Sequence, residues 1–132
     1  MPFETTIKVR FYELDPYDHV NHAAYVQYFE VARVELLDSV GMSLKTLKEL
    51  GFHLVVTELH TRFVRSAGPG DLLTVETSVA RMRRTSTTWH QRLLRDGELL
   101  ADQDITVAAT TTSGRPTRVP AALAEAIAGF AD

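Results

Sequence analysis

From Thr5 to Tyr12 apolar and polar positions alternate, with Ile7, Val9 and Phe11 on one face and Lys8 and Arg10 on the other. That period of two predicts a half-buried strand. It breaks at Leu14-Asp15-Pro16-Tyr17-Asp18, because proline has no ladder donor and biases the residue before it away from the helical region. From about His22 to Val40 the period becomes helical: Tyr25, Phe29, Ala32 and Leu36 form one stripe, and Val26, Val34, Leu37 and Val40 widen it. A helix this apolar is expected to be covered on more than one side. Asn21 suits its N-cap and Gly41 its C-terminal stop. Ser43 to Leu50 predicts a second, short helix capped by Ser43 and ended by Gly51.

The remainder reads mostly as strand. Phe52 to Val64 is rich in Val, Leu, Phe and Thr, and Gly68-Pro69-Gly70-Asp71 is a turn sequence. Leu73, Val75 and Val79 then alternate with Thr74, Glu76 and Ser78. Asp96-Gly97, between the β-prone runs Thr85 to Leu94 and Glu98 to Thr111, predicts a hairpin. Pro120 to Phe130 predicts a short alanine-rich helix. No repeat or linker divides the chain, so residues 1–132 are expected to form one α+β domain. A sheet around one long helix would satisfy the apolar surfaces of both.

Composition narrows the chemistry. The chain is 45% hydrophobic and 23% charged, with a formal net charge of -3, which argues against a general nucleic-acid binder. With no cysteine, disulfides, thiolate zinc sites and a cysteine nucleophile are excluded. The first residues, Met1 to Thr5, lack the basic-then-apolar pattern of a signal peptide, and no apolar run approaches a membrane span. A cytoplasmic protein without a cofactor is the expectation.

Between residues 10 and 33, Asp15, Asp18, His19, Asn21 and His22 concentrate at the junction of a strand and a helix start. A helix N-terminus offers unpaired amides and a positive partial charge suited to an oxyanion, and a nearby carboxylate can attack a carbonyl or activate water. These are the two halves of an acyl-transfer site.

This Asp loop, running into His19-Val20-Asn21-His22, resembles that of the 4-hydroxybenzoyl-CoA thioesterase family of hot-dog proteins. So do Tyr28-Phe29-Glu30-Val31-Ala32-Arg33, Gly70-Asp71, Asp96-Gly97-Glu98-Leu99-Leu100-Ala101 and Gly114-Arg115-Pro116. The resemblance implies a hot-dog fold, an antiparallel sheet wrapped around one long central helix. It implies hydrolysis of an acyl-CoA or acyl-carrier-protein thioester in a homodimer or homotetramer with the site between subunits. It further implies that Asp15 is the catalytic carboxylate and that the backbone N–H at His22 polarises the carbonyl. His19, Asn21, Ala23, Tyr25 and Glu58 are then the expected site-lining residues, and Arg65, Arg83 and Arg84 the expected CoA-binding ones. Asp18 stands where relatives commonly have glycine.

Plainer readings stand beside these. Asp-Pro commonly starts a turn, and Asn21 is sufficient as a helix cap. Glu58 and the arginines, Arg62, Arg65, Arg81, Arg83 and Arg84, also suit solvated strand faces. Glu30 and Arg33, three apart, suit a pair on the helix face. Asp15, Asp18, His19 and His22 offer metal ligands, but a proline loop and a cap interrupt the spacing that helix-borne zinc ligands need. An enoyl-CoA hydratase using Asp15 with His19, and a non-catalytic acyl-CoA or acyl-carrier-protein binding module, remain open on the same fold.

Overall fold

A computed structural model describes residues 1–132. Strand β1 spans Phe3–Lys8; a 3-10 turn at Phe11–Glu13 leads through the Asp15 loop to helix α1, His22–Ser39. Helix α2 (Leu44–Glu49) follows, then strands β2 (Phe52–Phe63), β3 (Leu72–Met82), β4 (Ser86–Arg95) and β5 (Glu98–Thr111). The chain closes with helix α3 (Ala121–Ile127) and a 3-10 turn, Ala128–Phe130. The five strands form one wholly antiparallel sheet in the order β1-β3-β4-β5-β2. No helix is long and apolar enough to cross a membrane.

The predicted elements match the observed ones closely because their local signals agree with burial. Asn21 caps α1 by accepting from the Ala23 amide at 2.9 Å, and Ser43 caps α2 through Thr46 N at 3.0 Å. Asp96 and Gly97 both adopt positive φ, 50° and 80°, which gives the tight β4–β5 hairpin its twist. The helix stripe Tyr25, Phe29, Ala32 and Leu36 is fully buried on the sheet.

Two apolar clusters divide the interior along α1. Tyr25, Tyr28, Phe29 and Ala32 pack with Ile7, Val9, Leu73, Val75, Leu93 and Leu100 under its first half. Leu36 and Leu37 pack with Leu47, Val79, Trp89, Ile105, Leu123 and Ile127 under its second half. Helix α3 thus closes one end of the core, and the Asp15 loop lies at the other.

Two expectations are corrected. Phe11 does not continue the buried face of Ile7 and Val9; it sits in the 3-10 turn at 86% exposure, because the strand has already ended at Lys8. Glu30 and Arg33 form no ion pair: Arg33 turns inward, is 9% exposed, and donates from Nη1 to Gln91 Oε1 at 2.9 Å. The outer face of α1, with Gln27, Glu30, Val31, Glu35 and Asp38, is exposed.

The sheet's edges differ. Strand β1 is short, and the chain's end lies against its β3 neighbour, with Asp132 N donating to Val79 O. Strand β2 is long and has no partner on its outer side. Its alternation puts Val56, Leu59 and Phe63 in register with Val107, Ile105 and Ala101 of β5, which face α1, yet these three remain 44%, 44% and 51% exposed. A bulge between Val56 and Glu58 inserts Thr57 and preserves this facing.

Candidate functional site

The loop from Leu14 to Val20 closes on itself through a bridge between those two residues. Asp15 organises it: Oδ1 accepts from the amides of Tyr17 (2.8 Å) and His19 (3.1 Å), while the Asp15 amide donates to His19 O at 2.7 Å. Oδ2 has no protein partner. The turn role and an available anionic oxygen therefore coexist in one carboxylate.

Asp18 sits at φ 57°. That left-handed conformation explains a glycine preference at this place, and aspartate is among the few other residues that tolerate it.

A clamp ties the loop to the helix. Glu13 accepts at Oε1 from the Tyr28 hydroxyl (2.8 Å) and from the Arg10 amide (2.7 Å), and its carbonyl accepts from Asn21 N at 2.8 Å. Burial first, then the Glu13 carboxylate, holds the Tyr28 hydroxyl above its ordinary pKa, so it remains a donor. No local pattern pairs Glu13 with Tyr28. Their separation of fifteen residues becomes a contact only once the 3-10 turn folds over α1.

Helix α1 presents its first turn to the loop. The Ala23 amide is taken by the Asn21 side chain and the Ala24 amide by Asn21 O at 2.9 Å, whereas the His22 amide has no protein acceptor. A free amide at the positive end of an eighteen-residue helix is a natural place for an anionic oxygen.

Around this point a cleft of about 260 Å³ is lined by Asp15, His19, Val20, His22, Tyr25, Phe63, Val64, Arg65 and Ser66. Tyr25 lies edge-on to Phe63 with ring centres 5.3 Å apart, and its hydroxyl accepts from the Ala67 amide at 2.9 Å. Arg65 is held beside the cleft by Glu98, Nε to Oε2 at 3.4 Å, with most of its side chain exposed.

The fold thus brings together five of the expected residues: Asp15, His19, His22, Tyr25 and Arg65. Asn21 and Ala23 line a separate shallow groove with Tyr12, Glu13 and Gln27. Glu58 lies exposed in mid-β2. Arg83 and Arg84 lie just beyond β3, which starts near the cleft at Leu72 and runs roughly 33 Å to Met82. Within one chain they do not reach Asp15. The four candidate metal ligands do not converge into a metal-holding cluster.

A family model described as the thioesterase-like superfamily matches residues 9–127. The chain is 35% identical over 106 residues to the long-chain acyl-CoA thioesterase FadM of Escherichia coli, covering 78% of this chain and 79% of that one. It is 29% identical over 119 residues to the chloroplastic acyl-acyl carrier protein thioesterase ATL2 of Arabidopsis thaliana; the match takes in 89% of this chain but spans 63% of the plant protein's length. The solved 1,4-dihydroxy-2-naphthoyl-CoA thioesterase of Synechocystis superposes with a TM-score of 0.90 over 97% of this chain and 96% of that one, at 18% identity. That likeness concerns the fold, and it agrees with the hot-dog arrangement of sheet and helix.

Proposed function

Because the chain belongs to the thioesterase-like superfamily, we propose that it hydrolyses the thioester of an acyl-CoA or acyl-carrier protein, with Asp15 and the His22 amide as the reacting pair. One observation carries this reading: an Asp15 oxygen without a partner shares a cleft with the residue whose helix-start amide is also without one. In the proposed step Asp15 Oδ2 takes a proton from water as the water oxygen bonds to the thioester carbon. The carbonyl oxygen becomes an oxyanion held by the His22 N–H. When the intermediate collapses, the C–S bond breaks and the thiolate leaves. With a thiol pKa of roughly 8.5, no strong general acid is needed for its departure.

The reading includes a dimer formed along β2. An open edge with exposed apolar side chains is unfavourable alone and is suited to pairing with a second copy. Two-fold antiparallel pairing of β2 with itself exchanges the ends of the sheet. The far end of one subunit then lies beside the cleft end of the other. On that arrangement the partner subunit's Arg83 and Arg84 approach the cleft and supply guanidinium groups for CoA phosphates, alongside Arg65. Glu58 then falls close to the two-fold axis.

The test is Asp15→Asn, which keeps an acceptor at Oδ1 for the Tyr17 and His19 amides and removes the charge. With a panel of acyl-CoA substrates and detection of free thiol, kcat should fall about 10²–10⁴-fold with the circular dichroism unchanged. Undiminished thiol release in this variant rejects the role of Asp15. Loss of enoyl absorbance from crotonyl-CoA without thiol release assigns hydration instead.

A further inference from the structure

Apart from buried Arg33, the arginines fall into two groups. Arg10, Arg62, Arg65, Arg92 and Arg95 each pair with a carboxylate, whereas Arg81, Arg83, Arg84, Arg115 and Arg118 pair with none. The five without a partner are all exposed and lie together at the end of the sheet away from the cleft. Arg81 is near the end of β3, and Arg83 and Arg84 form its turn into β4, where Arg83 N donates to Ser86 O at 2.8 Å. The segment carrying Arg115 and Arg118 folds back against that turn: Thr117 N donates to Ala109 O at 3.1 Å and Val119 N to Arg84 O at 2.9 Å. Neighbouring sequence supplies no counter-charge, for there is no Asp or Glu between Thr77 and Arg95 or between Ile105 and Ala124. Asp132 borders the same apolar groove as Arg81 without pairing with it. In a chain of net charge -3, five unanswered guanidiniums at one end make a patch of the opposite sign.

The shape of the patch narrows its occupant. Of the five arginines, only Arg81 borders a sizeable cavity. A small anion is held in a concave site where several donors converge on it, whereas splayed, exposed guanidiniums without a pocket suit a broad acidic surface. The residues between them, Met82, Thr85, Ser113, Gly114, Pro116 and Thr117, include no aromatic ring on which a nucleic-acid base would stack. Met82 is the one large exposed apolar side chain there, too little for a lipid surface to take up. These features favour an acidic protein.

We infer that this patch docks the acidic surface of an acyl-carrier protein, which delivers the thioester on its phosphopantetheine arm. The inference deepens the proposed hydrolysis and rests on its dimer, in which the far end of one subunit lies beside the cleft of the other. Arg83 and Arg84 keep the phosphate role given to them above, because the phosphate of phosphopantetheine is common to CoA and the carrier. Arg81, Arg115 and Arg118 hold carboxylates of the carrier, which CoA does not have. A carrier seated there directs its arm into the adjoining cleft.

An acidic holo-acyl-carrier protein, dye-labelled at its phosphopantetheine thiol, is titrated with the full chain and followed by fluorescence anisotropy. Binding should be saturable and should weaken steeply with added salt. Arg118→Glu should weaken it about fivefold, and Arg115→Glu with Arg118→Glu about tenfold or more. Lys8→Glu makes the same change of net charge as the single variant, at the exposed β1 edge, and should leave the affinity as it was. In turnover, kcat/KM on an acyl-carrier protein relative to the CoA ester of the same acyl group should fall about tenfold in the double variant, through KM. The inference is overturned by absence of saturable binding, by affinity indifferent to the arginine reversals, or by an equal loss in Lys8→Glu. An equal fall in turnover on both carriers also overturns it and assigns the arginines to the CoA nucleotide. So does tighter binding of a labelled RNA oligonucleotide or of phosphatidylglycerol vesicles than of the carrier. Carrier binding without hydrolysis of any thioester keeps the docking surface and removes the proposed chemistry; acyl-CoA hydrolysis without carrier binding does the reverse.

Discussion

The two ends of helix α1 rest on the same sheet and are built differently. At the second half, Leu36 and Leu37 join Trp89, Ile105, Leu123 and Ile127 in a cluster closed by α3. At the first half the apolar cluster is just as well buried, but it carries a roof of polar groups: the Asp15 turn, the Glu13–Tyr28 clamp and the unpaired His22 amide. The six arginine–carboxylate ion pairs, Arg10–Glu13, Arg62–Asp102, Arg65–Glu98, Arg92–Glu76, Arg95–Asp71 and Arg95–Glu98, lie toward that end, and the His90–Asp104 hydrogen bond lies nearer the middle of the sheet. One end is held mainly by packing, with a few local bonds such as Trp89 Nε1 to Thr87 Oγ1. The other is held by packing plus directional bonds that fix an open cleft.

The sharpest way to break this contrast is a pair of substitutions, one at each end. Asp15→Asn should abolish most turnover, as above, with little effect on the unfolding midpoint. Leu36→Ala, at a fully buried position remote from the cleft, should lower stability by about 2–5 kcal/mol through the cavity it leaves, with kcat of the folded molecules unchanged. Urea denaturation and steady-state kinetics on both variants separate the two. A Leu36→Ala protein that loses kcat while folded would mean the ends are not independent.

Next in size is the clamp. Tyr28→Phe keeps the ring in the core and leaves the Glu13 carboxylate without its buried donor, at a cost of about 1–3 kcal/mol. If the clamp orients the Asp15 loop, kcat should also fall, with KM less affected. A stability loss with kcat intact would make the clamp purely structural.

Much of this molecule was readable from local pattern. The boundaries of α1 followed from the Asn21 cap and the 3.6-residue stripe, and the β4–β5 turn from Asp96-Gly97, because each signal acts within a few residues. Asp15, His19 and His22 came together for the same reason: one short loop carries all three. What escaped depends on contacts between distant elements. The inward turn of Arg33 needs Gln91, fifty-eight residues away. The openness of β2 depends on its place at the sheet's edge, which alternation along the strand does not encode, and Arg83 and Arg84, grouped with Arg65 as expected CoA-binding residues, lie past the far end of β3. That the Asn21 cap would occupy the Ala23 amide and spare His22 was implicit in capping geometry, but only the folded turn shows which amide is left.

A smaller effect is expected at Asp18. Its φ of 57° is strained for a side-chain-bearing residue, so Asp18→Gly should raise stability by about 0.5–1 kcal/mol, partly offset by the greater freedom of glycine when unfolded. The gain should appear in the urea midpoint with activity retained. A loss of stability would show that the Asp18 side chain contributes something beyond conformation.

The smallest effect, acid loosening, bears most directly on the two ends. Asp71 is held below the ordinary carboxylate range by the Gly68 amide and then by Arg95, and Asp102 by its bonds to Arg62. Both pKa values are depressed on folding, so their contribution is complete above the unfolded value of about 3.9 and is lost as pH falls through the folded values below it. Arg62 is largely exposed, which screens its pair and limits the gain. Asp71 closes the turn whose Ala67 amide anchors Tyr25 beneath the cleft. Acid should therefore release amide protection around Ala67 and Gly68 before it releases the strands around Trp89. Hydrogen exchange at pH 6 and again near pH 3 measures that order, and Asp71→Asn should remove most of the difference. Uniform loosening of both ends would show that the directional bonds at the cleft add no local stability beyond the packing they sit on.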